Sequence, residues 1–426
     1  MFDPVAFTIP EAIDYPNSLV ASYLLQTSAQ ENIFSTVKLI LDTQSCGTWV
    51  EVSHSTQEIR ERHAAKLLAL WEVPDFENIP PDSVTTHQWI FQVAYPIHNF
   101  GFQLPLMLTT AYGEVSALGN LRLVDLHFPE NYVRQFNGPK FGIPGMRSLL
   151  KVTGRPLVLS ITKPPLGLTP DESAQQQYLS TLGGADLVKD DELLFSHPWS
   201  DFIERVKKHR QAAQRVFDQT GQLTLYFVNI TDRPDRLVEN AYRAIEAGAS
   251  GLMVNYLTVG FSSLSILADD PQISLPILAH LNFSGALYTH PWTGVSSHLV
   301  LGKIPRLAGA DVVVIPSPYG KFPYQVSKYL RVAQALTSQL YQIKPIWPSP
   351  GGGVHPGMVP RHVQELGWDF IISAGGAIQG HPMGPTAGAR AFRQAIEAVQ
   401  SGSPFELAAE DFPELKSALE TWGSIS

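Results

Sequence analysis

The sequence predicts an α/β protein, with a C-terminal (β/α)8 TIM barrel over residues 138–426 behind an N-terminal α+β domain over residues 1–137. Two observations carry the barrel. Eight near-continuous apolar runs recur at 157–163, 186–191, 224–230, 251–257, 275–281, 311–317, 344–348 and 369–374. Helical patterns at 170–182, 199–219, 234–247, 295–308, 323–340 and 358–366 separate most of them, each long enough to cross over between parallel strands. Strands covered on both faces read as continuous apolar stretches, and in a barrel the polar residues at their C-terminal ends face the active site. Those ends carry Lys163, Lys189, Asp191, Glu192, Asn229, Asn255, His280, Ser317 and two glycine turns. Pattern alone also admits a doubly wound sheet.

The N-terminal part reads differently. A strand at 17–27 precedes a helix at 29–42, and a turn at Gln44-Ser45-Cys46-Gly47-Thr48-Trp49 leads into Val50-Glu51-Val52. A helical stretch at 56–70, a strand at 89–94, a helix-like 104–111 and a strand at 121–128 follow. Strands and helices without βαβ regularity indicate a small α+β domain. The glycine and proline cluster Gly138-Pro139-Lys140-Phe141-Gly142-Ile143-Pro144-Gly145 marks its expected end.

Composition narrows the function. At 426 residues, 44% hydrophobic and 16% charged, the chain is globular with a large buried surface. A net charge of −9 without a long basic run argues against nucleic acid as the main partner. A single cysteine, Cys46, excludes an intramolecular disulfide and a cysteine zinc cage, and fits a reducing, cytoplasmic setting. The start, Met1-Phe2-Asp3-Pro4, lacks a secretory pattern, and no run of 18 apolar residues occurs, so no membrane span is expected.

The densest chemistry lies in Gly183-Gly184-Ala185-Asp186-Leu187-Val188-Lys189-Asp190-Asp191-Glu192. Side chains alternate along a strand, so Lys189 and Asp191 point one way and Asp190 the other. An ammonium cannot ligate a hard cation. A carbamate, formed by adding CO2 to the Lys189 amine, can, and with Asp191 and Glu192 it would give Mg2+ three oxygen ligands. Spacing alone equally admits a lysine–carboxylate ion cluster. Lys163, at the first strand end, is a candidate general base if it faces a metal in a closed cavity, or a rim lysine reaching solvent. The turns Gly351-Gly352-Gly353 and Gly375-Gly376 follow the seventh and eighth runs, where barrels commonly bind phosphate; glycine there can also simply relieve crowding. His280 reads as either a catalytic or a satisfied core histidine, and Cys46 as a small packed residue.

Four strings together resemble the RuBisCO large-subunit superfamily over nearly the whole chain: Lys163-Pro164-x-x-Gly167-Leu168, Gly183-Gly184-x-Asp186-x-x-Lys189-Asp190-Asp191-Glu192, Gly47-Thr48-Trp49 and Gly380-His381-Pro382. The resemblance implies a carbamylated Lys189 holding Mg2+ with Asp191 and Glu192, and Lys163 as the lysine that enolises substrate. It also implies a homodimer whose active sites combine one barrel with the partner's N-terminal domain.

Departures from the carboxylase accompany these matches. Thr43, Glu114 and Pro165 stand where the carboxylase has a glutamate, an asparagine and a second lysine. Leu281 replaces an arginine of the distal phosphate site, and the region Val313-Val314-Ile315-Pro316-Ser317 lacks that site's histidine. Thr48, Trp49, Gly353, Gly375 and Gly376 preserve the other phosphate site. An arginine–phosphate pair is strong and bidentate, so its loss points to a monophosphorylated substrate and a RuBisCO-like (form IV) protein that does not carboxylate.

Ser317-Pro318-Tyr319-Gly320, His355-Pro356-Gly357-Met358-Val359-Pro360 and Leu126-His127-Phe128 look like the methionine-salvage enolases acting on 2,3-diketo-5-methylthiopentyl-1-phosphate. Those enolases, however, carry their catalytic lysine where this chain has Glu114. The implied activity is Mg2+-dependent enolisation or isomerisation of a phosphorylated, sugar-like substrate, with Lys163, Lys189, His280 and Glu114 as candidate catalytic residues. Alternatives are a decarboxylase of 3-oxo sugar-acid phosphates and a non-catalytic regulatory member. Lys321 reads as a possible remnant of the carboxylase's mobile lysine.

Overall fold

The computed structural model describes residues 5–50, 52–402 and 404–425; the start Met1-Phe2-Asp3-Pro4 and Glu51 lie outside the described residues. Its strands, in chain order, are β1 (Ser18–Ser28), β2 (Lys66–Glu72), β3 (Thr86–Pro96), β4 (Leu121–His127), β5 (Leu157–Ile161), β6 (Leu187–Lys189), β7 (Leu225–Asn229), β8 (Gly251–Val254), β9 (Ile277–Ala279), β10 (Gly294–Val295), β11 (Val312–Pro316), β12 (Trp347–Gly351) and β13 (Ile371–Ala374). The chain divides into two compact units: the stretch up to Phe136 with Phe283–Val300, and Asn137–Asn282 with the chain from Leu301 on. No helix among the described residues is long and apolar enough to cross a membrane.

The first unit is built on a sheet of order β10-β4-β1-β3-β2, antiparallel except where β10 joins β4. Along β1, Leu19, Ala21, Tyr23 and Leu25 are all fully buried, the period-two pattern of a strand with one face on a core. The helix expected at 56–70 stops early. Thr56 caps it, its hydroxyl accepting from Ile59 N–H at 3.3 Å, and it spans only Gln57–His63 before β2 begins. From Lys66 the backbone pairs with β3, so sheet pairing overrides the helical spacing of the apolar residues.

In the second unit the eight strands β5 to β9 and β11 to β13 run parallel in the order β12-β11-β9-β8-β7-β6-β5-β13, a nearly closed barrel. Leu159, Leu187, Phe227, Met253, Leu278, Val314 and Trp347 belong to one buried cluster, which Ile143, Met146 and Leu150 of helix Gly142–Leu150 join. Each such side chain contributes about 1.5–3 kcal/mol by leaving water.

Among the described residues no ladder joins β12 to β13. Trp347 N–H donates to Asp311 O, and Gly351 O accepts from Ser317 N–H, so the odd-numbered residues of β12 face β11. The residues facing β13 are Pro348 and Pro350, which have no N–H to give. Ser349 Oγ and Ser373 Oγ, 2.6 Å apart, bridge this seam instead. The seventh strand therefore runs through two prolines and lies later than the run at 344–348, because the missing donors fall on the open side.

The N-terminal rim repeats one device. Gly184-Ala185-Asp186, Gly248-Ala249-Ser250 and Gly309-Ala310-Asp311 each precede a strand. The polar side chain accepts a backbone N–H of the neighbouring strand: Val158 to Asp186 at 2.9 Å, Tyr226 to Ser250 at 2.7 Å, Ile277 to Asp311 at 2.9 Å. Gly184 and Gly309 sit at φ +104° and +99°, a left-handed turn that glycine makes without strain.

Candidate active site

Alternation in β6 decides which charges reach the barrel mouth. Lys189, its last residue, is fully buried, with Nζ 3.1 Å from Glu192 Oε2 and 3.0 Å from the Asp190 carbonyl oxygen. Asp190 meets Arg205 Nη2 at 3.1 Å and Nε at 3.3 Å, Tyr226 OH at 2.6 Å and Asn229 N–H at 3.0 Å. Asp190 and Arg205 are both fully buried, and two charges survive that only as a pair with their remaining donors and acceptors engaged. Burial opposes the guanidinium charge, and Asp190 with Tyr226 more than restores it. Asp190 is thus part of a structural ion pair.

Two other lysine–carboxylate pairs lie at the strand ends. Lys163, two residues beyond β5, donates to Asp191 Oδ2 at 2.5 Å, and Asp191 Oδ1 accepts from Leu193 N–H at 3.1 Å. Lys189 pairs with Glu192, and His280 Nε2 lies 3.4 Å from the same Glu192 oxygen. Burial pushes the Glu192 carboxyl up, but Lys189 and His280 beside it outweigh burial and hold it down at about 2. Burial, reinforced by Lys189, takes His280 down to about 3, leaving a neutral imidazole. The Glu192 carbonyl oxygen accepts from Asn229 Nδ2 at 3.2 Å and Asn255 Nδ2 at 2.9 Å. These asparagines therefore anchor the loop, and Asn255 Oδ1 stays buried without a hydrogen-bond partner.

Among the described residues no three His, Cys, Asp or Glu side chains converge as a metal-binding group. Asp191 and Glu192 supply two hard oxygen donors, each now facing an ammonium. The set fits Mg2+ once Lys189 bears CO2, which replaces a repelling cation with a third anionic oxygen.

The other predicted residues divide between the units. At the strand ends, Ser317 Oγ lies 3.3 Å from His362 Nε2, whose Nδ1 is 2.8 Å from Tyr329 OH. Lys321 N–H donates to Gly352 O at 2.7 Å, and a side chain on Gly353 would come within 2.9 Å of Lys321 N, so the two loops are laid against each other. A Cβ on Gly375 would come 3.0 Å from Lys163 Cε, whereas Gly376 has open space. Thr48, Trp49 and Glu114 lie in the first unit. Thr48 and Trp49 line a cleft of about 360 Å³ with Lys38, Asp42 and Arg60; Trp49 is 84% exposed, and Glu114 opens an exposed turn at Glu114–Leu118.

Comparison with known proteins decides the lineage. The family model for the catalytic domain of the ribulose bisphosphate carboxylase large chain matches residues 142–422, and that for its N-terminal domain matches 11–132. The chain belongs to the RuBisCO large-chain family. It is 45% identical over 394 residues to a ribulose bisphosphate carboxylase-like protein of Archaeoglobus fulgidus, covering 92% of this chain and 90% of that one. It is 39% identical over 410 residues to a 2,3-diketo-5-methylthiopentyl-1-phosphate enolase of Geobacillus kaustophilus, covering 96% and 99%. The crystal structure of a rubisco-like protein (MtnW) from Alicyclobacillus acidocaldarius matches with a TM-score of 0.86 at 37% identity, over 95% of this chain and 100% of that one. The chain thus sits with the RuBisCO-like, form IV members.

Within this RuBisCO-like chain, Leu281 packs against the barrel's apolar cluster and Ser317 is engaged by neutral His362, so neither position presents a cation. Sequence reading missed His362, Tyr329 and Gln176. Each meets its partner from another element, His362 at Ser317 and Tyr329, and Gln176 Oε1 at Lys163 N–H, and no local spacing marks it.

Proposed function

We propose that this chain catalyses Mg2+-dependent enolisation or isomerisation of a monophosphorylated, ketose-like substrate, and not carboxylation of ribulose bisphosphate. The carrying observation is the juxtaposition of Lys163–Asp191 at 2.5 Å with Lys189–Glu192 at 3.1 Å across adjacent strand ends. In this reading Lys189, as its carbamate, would hold Mg2+ with Asp191 and Glu192. A bound Mg2+ would polarise the substrate oxygens and stabilise the negative charge that develops on proton loss. Lys163 moves the proton, and neutral His280 stands by as hydrogen-bond partner to the same oxygens. The turns at Gly353 and Gly376, with Thr48 and Trp49, take the single phosphate. In the homodimer we propose, Thr48, Trp49 and Glu114 come from the partner subunit. The relatives named as 2,3-diketo-5-methylthiopentyl-1-phosphate enolases support the substrate class, and the lone Cys46 supports a cytoplasmic setting.

Solvent deuterium incorporation into that diketo phosphate, with Mg2+ and bicarbonate, tests the reading. Lys163→Met should slow it by about 10²- to 10⁴-fold, the usual contribution of a general base. Unchanged exchange would remove Lys163 from this role.

A further inference from the structure

A lysine carries four rotatable carbons, so a base on such a stem acts only if something fixes it. Lys163 is held at both ends. Gln176, on helix Pro170–Leu182, clamps its backbone: Gln176 Oε1 accepts Lys163 N–H at 3.1 Å, and Gln176 Nε2 donates to the Lys163 carbonyl oxygen. An amide offers one acceptor and one donor group, and Gln176 gives both to this residue. The helix beneath is itself fixed, by a capping box between Thr169 and Glu172 and by buried His209, whose ring nitrogens meet Gln177 and Ser173.

The lysine stem rests on Gly375. A Cβ there would lie 3.0 Å from Lys163 Cε, 3.2 Å from Lys163 Cγ and 3.3 Å from Ile161 Cβ. Gly375 has φ −108°, which any residue adopts, so the backbone does not demand glycine; the absent side chain is what the lysine needs. Gly376, one residue on, has nothing within 4 Å. The two glycines therefore do different things.

We infer that Gln176 and Gly375 are positioning residues that aim Lys163 at the reacting carbon, while Gly376, of these two glycines, leaves room for ligand. This rests on the reading of Lys163 as the base. A misplacement of about 1 Å can cost on the order of 10²-fold in rate, so Gln176→Leu and Gly375→Ala should each lower kcat for deuterium exchange about 10- to 100-fold. KM for 2,3-diketo-5-methylthiopentyl-1-phosphate should stay within about twofold for both, because they act on the base and not on the bound substrate. Gln176→Glu, which keeps the acceptor and loses the donor, should fall between Gln176→Leu and wild type. Gly376→Ala should show the opposite split, a raised KM with kcat kept.

The full-length protein is measured with Mg2+ and bicarbonate, and Lys163→Met is run alongside. Wild-type exchange in Lys163→Met overturns the base reading itself. Exchange lost in Lys163→Met but kept in both Gln176→Leu and Gly375→Ala overturns only the positioning inference, as does a raised KM with unchanged kcat in those two. If wild type does not exchange this compound, crystal structures of the two variants decide: Lys163 Nζ swung away from Asp191 supports the inference, and an intact pair overturns it.

Discussion

The two rims of the barrel satisfy their charges in opposite ways. At the N-terminal rim, Asp186 accepts Val158 N–H and a bidentate Arg155 at 2.6 and 2.7 Å, and Asp311 accepts N–H groups of Phe141, Gly142 and Ile277. At the C-terminal rim, Asp191 and Glu192 are met chiefly by the flexible ends of Lys163 and Lys189. Backbone donors cannot leave; lysine ammonium groups can be displaced or chemically modified. A carboxylate is thus riveted at one rim and held by exchangeable partners at the other.

Five substitutions probe the barrel's rims and its seam, in falling order of effect. Lys189→Met should abolish bicarbonate-linked Mg2+ binding, read by calorimetric titration, and lower exchange by about 10²- to 10⁴-fold, because the third oxygen donor can no longer form. Asp186→Ala should cost about 3–5 kcal/mol in urea unfolding, since it strands Arg155 and an N–H, while activity per folded molecule holds.

The pH response should reverse between the rims. Burial raises the Asp311 carboxyl from 3.8 to about 6 against its backbone donors, so the folded state binds a proton more tightly than the unfolded chain. Its contribution to stability therefore falls as pH rises from about 3.8 to about 6. Glu192 is held below its ordinary 4.5 at about 2, so in the metal-free protein its contribution is present above about 4.5 and is lost as pH falls towards 2. Melting curves of Asp311→Asn and Glu192→Gln across pH should each flatten their own window and leave the other. Ser349→Ala should have the smallest effect, about 1–3 kcal/mol, as its two hydrogen bonds across the seam, with Ser373 Oγ and the Ile371 carbonyl oxygen, are lost.

Most of the barrel was legible in the sequence because strands buried on both faces must be apolar throughout, and each of the eight runs overlaps a strand. That Lys189, Asp191 and Glu192 gather at one strand end was legible because they follow one another at the end of an apolar run. What escaped has physical causes. β2 was hidden since its apolar spacing also fits a helix, and only pairing with β3 and with Phe7 makes it a strand. The full reach of β12 was hidden because proline ordinarily argues against a strand, and the direction of its missing N–H cannot be read locally. Gly375 and Gly376 look alike in sequence, and only the path of the Lys163 stem tells them apart.

The proline-lined seam has one more consequence. The turns at Gly351-Gly352-Gly353 and Gly375-Gly376 hang from β12 and β13, neighbours that share no backbone ladder. Among the described residues the hydrogen bonds across this seam all come from serine hydroxyls, Ser349 Oγ meeting Ser373 Oγ and the Ile371 carbonyl oxygen, whereas the other neighbouring strands share ladders of amide bonds. The seam should therefore open more readily than the laddered strand pairs, and hydrogen exchange at Ile371 and Ser373 should run ahead of the other strand interiors.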